Sequence, residues 1–319
     1  MPEVVEVCLT ALWLNNELQD KRITEIKILN GRYSRHPLKG LDYFEKYKPF
    51  KVIEVNSKGK FLWFKILGKN DKEYYILNRF GLEGEWGFTQ KTHSGIEFTI
   101  KDGTKSMQLY FTDSRSFGTL EIVNDKNKLD NELMKLGPDF LKVPFTNQEF
   151  YARIEKFIKN QNGTINNTKG NKEIIKVLMD QTNKGGFGCG LGNYLSVEAL
   201  YDAKISPYKK IKDLYENKDL AYKLAKSIKY ITKLSYMNAT IGYLEYLDKR
   251  MASFIIKLRE KIYNNPNHIN NYHLTVKISK NDKFIFRVYR QKVDPLGNNI
   301  KGDKIIPGRT TYWSPSVQL

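Results

Sequence analysis

Over roughly the first 125 residues, hydrophobic and polar positions alternate in short runs: ITEIKIL, FKVIEV, KFLWFKIL, EYYILNRF, IEFTI and MQLYF. Each run is rich in β-branched and aromatic residues and reads as a strand. Turn-rich stretches such as LGKNDK and IKDGTK separate some of them. Short strands need a second layer over their apolar faces, so a β-sandwich is expected. Ahead of them VEVCLTALWLNNEL breaks the alternation and reads as a short helix. The pattern changes near Pro144, where Thr146 and Glu149 form a capping box ahead of EFYARIEKFIK. In DLAYKLAKSIKYITKL the residues Leu220, Leu224, Ile228 and Ile231 recur at helical spacing, which marks a buried face. A second amphipathic run, RMASFIIKLREKIY, leads into the loop NNPNHINNYH. Strands are then expected in HLTVKIS and KFIFRVYRQ, and a last one in TTYW. The layout predicts an α+β multidomain chain: a helix-led β-sandwich over 1–140, a helical domain over 141–270 and a small β element over 271–319.

Composition narrows the partners. A chain of 319 residues can bury real cores, and 17 Phe with 20 Tyr exceed what disordered chains carry. The longest apolar runs, FLWF and FIIKL, fall far short of a membrane span, so a soluble protein without a membrane partner is expected. A net charge of +18 points to a polyanion, nucleic acid first, although a Lys/Asn/Ile-rich composition alone raises charge in the same way. Only Cys8 and Cys189 are present, which excludes a disulfide framework and a four-cysteine zinc site and fits a reducing compartment. MPEVVEV has no basic region ahead of an apolar stretch, so no export signal and an intracellular location, cytoplasmic or nuclear, are expected. The chain has no GxxxxGK[ST], HExxH or credible dinucleotide fingerprint, and no cofactor is expected. His36, His93, His268 and His273 show no ligand spacing, lie in polar surroundings and are read as non-catalytic. With no coiled-coil pattern, a monomer is expected.

The chemistry begins at MPE. Met1 is commonly excised before a residue as small as proline, which leaves a secondary amine with a pKa of about 8. Such an amine can attack a sugar carbon and form an iminium. The plainer reading makes Pro2 the first residue of a helix whose dipole Glu3 and Glu6 complement, and three residues alone favour it. A longer segment reverses that balance. GLGNYLSVEALYDAKISP, residues 190–207, closely resembles the helix-two-turns-helix signature of the formamidopyrimidine/endonuclease VIII family of DNA glycosylases. MPEVVEV is similar to the family's MPEGPEV, with Val4 and Val5 in place of Gly and Pro. The resemblance implies a bifunctional glycosylase and abasic-site lyase with Pro2 as nucleophile, Glu3 as catalytic acid and Glu6 as a second helix carboxylate. It implies that Lys60, opening KFLWF, is the catalytic lysine beside the lesion, with Lys58 a solvated rival. It also implies that Asn193, at a helix start, holds a DNA phosphate, although an ordinary cap has the same geometry.

Further segments resemble the same family. Leu82 in NRFGLEGEW, with Arg115 and Phe117 in TDSRSFG, matches the residues that fill the gap left by an extruded base. Extrusion costs a few kcal/mol, which an apolar wedge and a guanidinium partly offset. Leu82 and Phe117 could equally be core residues. In VYRQKVDPLGNN and PGRTTYWSPSVQ, the positions of the zinc-bearing members' two CxxC pairs hold Leu296, Asn299, Ser314 and Val317. No metal is therefore expected, and the chain resembles the zincless-finger, endonuclease VIII-like branch. Arg309 is implied to clamp the lesion phosphate, and Tyr289 counts among the DNA-binding residues. Phe286, Tyr289, Tyr312 and Trp313 should hold the finger by packing on the helical domain, since so small a β element is marginal alone. The stretch 240–275 is longer than the family's and has no functional account here; bracing the finger is one reading. The implied partner is damaged double-stranded DNA, with single-stranded DNA a further candidate; the implied substrates are oxidised pyrimidines and hydantoin-type purine products. Two alternatives stay open: a non-catalytic lesion- or DNA-binding protein, and a lyase acting mainly on abasic sites.

Overall fold

A computed structural model describes residues 2–239 and 247–319. The chain divides into two compact units, Met1–Met134 with Tyr243–Arg259, and Lys135–Gly242 with Glu260–Leu319.

The first unit opens with α1 (Val4–Leu18), which is apolar nearly all round, and Val4, Val7, Cys8, Leu9, Trp13 and Leu14 are buried. Such a helix is stable only inside a core. Asn15 Oδ1 accepts the Val55 N–H at 2.8 Å and so ties the helix to a strand. Eight strands follow: β1 (Arg22–Ile28), β2 (Phe50–Lys58), β3 (Phe61–Leu67), β4 (Glu73–Arg79), β5 (Glu85–Gly87), β6 (Ser94–Asp102), β7 (Lys105–Thr112) and β8 (Thr119–Val123). They form one antiparallel ladder in the order β5-β7-β6-β1-β2-β3-β4-β8. β1 meets β2 through Arg22↔Lys51 and Ile23↔Phe50 alone, so the ladder is two four-stranded halves joined at a corner.

Trp86 shows that the halves face one another. From β5 it packs on Phe64 of β3, with ring centroids 5.2 Å apart, and its Nε1–H donates to Asn78 Oδ1 of β4 at 3.1 Å. The expected sandwich is present, and all six runs read from the sequence are strands in it. β5 and β8, with three and five residues, are too short to show a period. Helices α2 (Leu41–Tyr47) and α3 (Lys126–Lys135) lie between and after the strands.

The last described helix, Lys249–Asn264, begins on this unit. Asp248 Oδ2 accepts the Phe88 N–H at 3.0 Å, and the Arg250 guanidinium lies 4.8 Å from the centre of the Phe88 ring. Residues 240–246 lie outside the described part. The start of this helix is therefore fastened to the sandwich.

The second unit carries α4 (Asn147–Ile158), α5 (Asn167–Gly170), α6 (Ile174–Met179), α7 (Asn193–Asp202), α8 (Ile211–Glu216) and α9 (Lys218–Asn238), then the hairpin β9 (Lys301–Ile306) and β10 (Arg309–Trp313). The capping box is formed: Thr146 Oγ1 accepts the Glu149 N–H at 3.1 Å, and Glu149 Oε2 accepts the Thr146 N–H at 2.6 Å. α9 buries Leu224, Ile228 and Ile231 as the spacing requires. HLTVKIS and KFIFRVYRQ, expected as strands, are irregular. The backbone N–H groups of Arg287, Val288 and Tyr289 turn to the Glu198 carboxylate instead of a neighbouring strand. No described helix is long and apolar enough to cross a membrane.

Candidate functional site

In the first unit the candidate groups gather at the head of α1. Pro2 is half-buried, and Glu3 beside it is 1% exposed. Glu6 Oε2 accepts the Glu3 N–H at 2.7 Å, and Val7 N–H donates to the Glu3 carbonyl at 3.0 Å, so the backbone that follows Pro2 is fixed from two sides. Glu6 thus fastens the helix start as a capping-box partner. Val4 and Val5, which depart from the family's Gly and Pro, are buried and root the opening turn in the core. Met1 lies outside the described residues.

Lys60 occupies the second position of the turn between β2 and β3, after Gly59 at φ 56°. A two-residue hairpin needs this left-handed conformation at its first position, and glycine adopts it without steric cost. Lys58 is not simply solvated, because its ammonium donates to the Leu133 carbonyl at 2.8 Å. α1 packs on both β2 and β3, so the helix bearing Glu3 and the hairpin bearing Lys60 share one body.

Leu82 lies half-buried between β4 and β5; Arg115 and Phe117 lie between β7 and β8. Phe117 is 59% exposed, which removes it from the core. Arg115 is exposed as well.

In the second unit, Asn193 opens α7 and Gly192 holds the cap position, so Asn193 is not an ordinary cap. Its Nδ2 donates to the Thr310 carbonyl at 2.9 Å, next to Arg309 at the start of β10. Asn193 and Arg309 are therefore brought to one place. The finger packs as expected: Tyr194 of α7 meets Phe286 and Tyr289 with centroids 5.7 and 6.2 Å apart, Tyr289 meets Tyr312 at 5.6 Å, and Tyr208 meets Trp313 at 5.6 Å.

Two carboxylates here escaped the sequence reading. Glu198 is fully buried and accepts the N–H groups of Arg287, Val288 and Tyr289 at 3.0, 3.0 and 2.9 Å, while Arg287 Nη1 reaches Asp202 Oδ1 at 2.9 Å. Burial pushes the Glu198 carboxyl up, and those N–H bonds with the Arg287 charge oppose it. The signal was a lone carboxylate within LSVEALY.

Asp294 organises the finger loop. Its Oδ1 accepts the N–H groups of Leu296 and Asn298, both at 2.9 Å, and its Oδ2 accepts the Ser314 hydroxyl at 2.7 Å. Asn298 Nδ2 reaches both oxygens, at 3.2 and 3.1 Å. Leu296 and Ser314, two of the residues at the zinc-ligand positions, thus hang on one carboxylate. Among the described residues, no group of three or more His, Cys, Asp and Glu is placed to hold a metal ion.

His273 corrects the expectation of polar surroundings for all four histidines. It is 4% exposed, its Nε2 lies 2.7 Å from the Phe140 carbonyl, and its ring stands edge-on to Phe145. Lys233 donates to the His273 carbonyl at 3.0 Å, and burial pulls that ammonium down to about 8.

Comparison with known proteins agrees with this architecture. The formamidopyrimidine-DNA glycosylase N-terminal domain matches residues 1–120, and the C-terminal domain of the same enzymes matches residues 276–319. The chain belongs to the formamidopyrimidine-DNA glycosylase/endonuclease VIII family. The formamidopyrimidine-DNA glycosylase of Prochlorococcus marinus (strain MIT 9301) is 23% identical across 100% of both chains. That of Ureaplasma parvum serovar 3 is 30% identical over 223 residues, 65% of this chain and 69% of the relative. Among solved structures, the Lactococcus lactis enzyme non-covalently bound to DNA containing an abasic site superposes with a TM-score of 0.65 at 21% identity, covering 99% of each chain. The same enzyme with DNA containing N7-benzyl-Fapy-dG gives 0.68 at 22% identity, again over 99% of each. These structures share the fold.

Proposed function

We propose that this protein excises oxidised bases from damaged duplex DNA and then cleaves the strand at the resulting abasic site, using Pro2 once Met1 is removed. The observation that carries the reading is the head of α1, where a half-buried Pro2 adjoins the buried carboxylate of Glu3 in a chain of this family. The Pro2 nitrogen attacks C1′ of the flipped nucleotide; the bond to the base breaks, and Glu3 protonates the sugar ring oxygen as the ring opens to an iminium. The iminium takes up the electrons of the C2′–H bond, and the 3′ and then the 5′ phosphate leave by β,δ-elimination. Lys60, Asn193 and Arg309 hold phosphates around the lesion, with Tyr289 beside them, and Leu82, Arg115 and Phe117 fill the vacated stack. The bond from Asn193 to the Thr310 carbonyl, next to Arg309, supports the shared role of those two residues.

The loss of all four cysteine ligands, with Asp294 drawing the finger loop together, favours the zincless endonuclease VIII-like branch and hence oxidised pyrimidines and hydantoin-type products. The net charge of +18 favours a polyanion, single-stranded DNA included, and the protein acts as a monomer.

Borohydride reduction in the presence of damaged duplex tests the proposal. A covalent adduct is expected with the processed protein and none with Pro2→Ala. An adduct on preformed abasic DNA alone would make the protein chiefly a lyase. Failure to trap either substrate, with DNA binding intact, would make it a non-catalytic binder.

A further inference from the structure

The two gap-filling loops are cross-linked by a group that no role above accounts for. Glu83 follows Leu82 on the loop between β4 and β5. Its Oε1 meets Arg115 Nε at 3.0 Å, and its other oxygen accepts the Ser114 hydroxyl. The backbones of the loops are also pressed together: a Cβ on Gly81, which stands at φ 67°, would lie 2.7 Å from Gly118 N and 2.8 Å from the Phe117 carbonyl carbon. Asp113 closes the second loop on itself, taking the Arg115 N–H at 3.1 Å on one oxygen and the Gly118 N–H on the other. Leu82, Arg115 and Phe117 thus stand on a single braced body.

The ion pair contributes little to stability, because the Arg115 and Glu83 side chains are 55% and 44% exposed. Its consequence is directional. A guanidinium is a planar fork of five N–H donors, and a carboxylate paired with it at Nε keeps the charged group beside the loop while leaving the two Nη groups for other acceptors. The Arg115 guanidinium is paired with Glu83 through Nε. The Ser114 hydroxyl holds Glu83 in turn, and this contact keeps its carboxyl low, hence charged.

We infer that Glu83 is a positioning residue for Arg115, holding the guanidinium by Nε so that its Nη edge faces the base left without a partner. The inference rests on the gap-filling reading of Arg115. Pre-set geometry spares the entropy of ordering a long side chain during insertion.

The test places 2-aminopurine opposite a stable abasic analogue in a duplex and follows its fluorescence as the full-length protein inserts. Glu83→Ala should slow the insertion phase, and reduce discrimination among opposite bases, roughly five- to ten-fold, as expected for a coupled pair. Glu83→Gln keeps the shape and the contact with Ser114 but gives up the charge that pairs with Arg115, and should fall between wild type and Glu83→Ala. In an Arg115→Ala background, Glu83→Ala should add nothing. An equal loss from Glu83→Ala in that background, or no loss from it where Arg115→Ala has one, overturns the positioning role. If Arg115→Ala itself leaves insertion and discrimination unchanged, the gap-filling reading fails instead.

Discussion

The β2–β3 hairpin and the segment 283–291 carry similar patterns of alternating aromatic and aliphatic residues, and both bury one side. Phe64 and Ile66 are buried in the hairpin, and Phe284 and Val288 in the segment. Their backbones are satisfied differently. In the hairpin, residue pairs from Lys58↔Phe61 to Lys51↔Leu67 form a ladder. In the segment, an isolated bridge from Phe284 to Ala239 is followed by three N–H groups converging on Glu198. Alternation thus reports an extended chain with a buried side, whereas a strand also requires an open edge beside it. A buried carboxylate on a helix can take the place of that edge.

Substitutions can break this contrast, beginning with the largest effect. Glu198→Ala should lower stability by about 3–5 kcal/mol, because it strips three N–H groups, that of buried Val288 among them, of their acceptor and leaves Arg287 without its buried partner. Denaturant unfolding measures the loss, and amide exchange should speed up at 287–289 while the β2–β3 ladder stays protected. Trp86→Phe in the sandwich should cost less, about 1–3 kcal/mol, since a ring still fills the space but Asn78 Oδ1 loses its donor. Phe117→Ala should change thermal stability least, by under about 0.5 kcal/mol, because the ring is 59% exposed. A Glu198→Ala protein no less stable than Phe117→Ala would end the claim that one carboxylate organises the segment.

Much of the architecture was legible where periodicity is long and local. The six runs in the sandwich, the capping box at Thr146 and the buried face of α9 all follow from spacing and side-chain chemistry over a few residues. The candidate site was read differently, through motifs of fixed order: MPE at the head of α1, and Asn193 within the 190–207 segment. Glu198 and Glu83 stayed hidden because each acts on residues distant in the chain, and Asp294 because it ties its own loop to Ser314, 20 positions on. Glu198 binds backbone about 90 positions away, and Glu83 meets Arg115 across three strands of sequence. A single carboxylate in an apolar helix announces that it must have a partner, but not which one. His273 was misread for the same reason: its neighbours in sequence are polar, while its neighbours in space are Phe140 and Phe145.

Asp294 bears on how the finger answers to its surroundings. Among the described residues, the groups that approach its two oxygens present hydrogens: N–H from Leu296 and Asn298, NH2 from Asn298, and O–H from Ser314 and Tyr201. These donors occupy the lone pairs of the carboxylate and leave none for a divalent cation. Scavenging trace metals with a chelator, or flooding the solution with them, should therefore leave this part of the molecule indifferent.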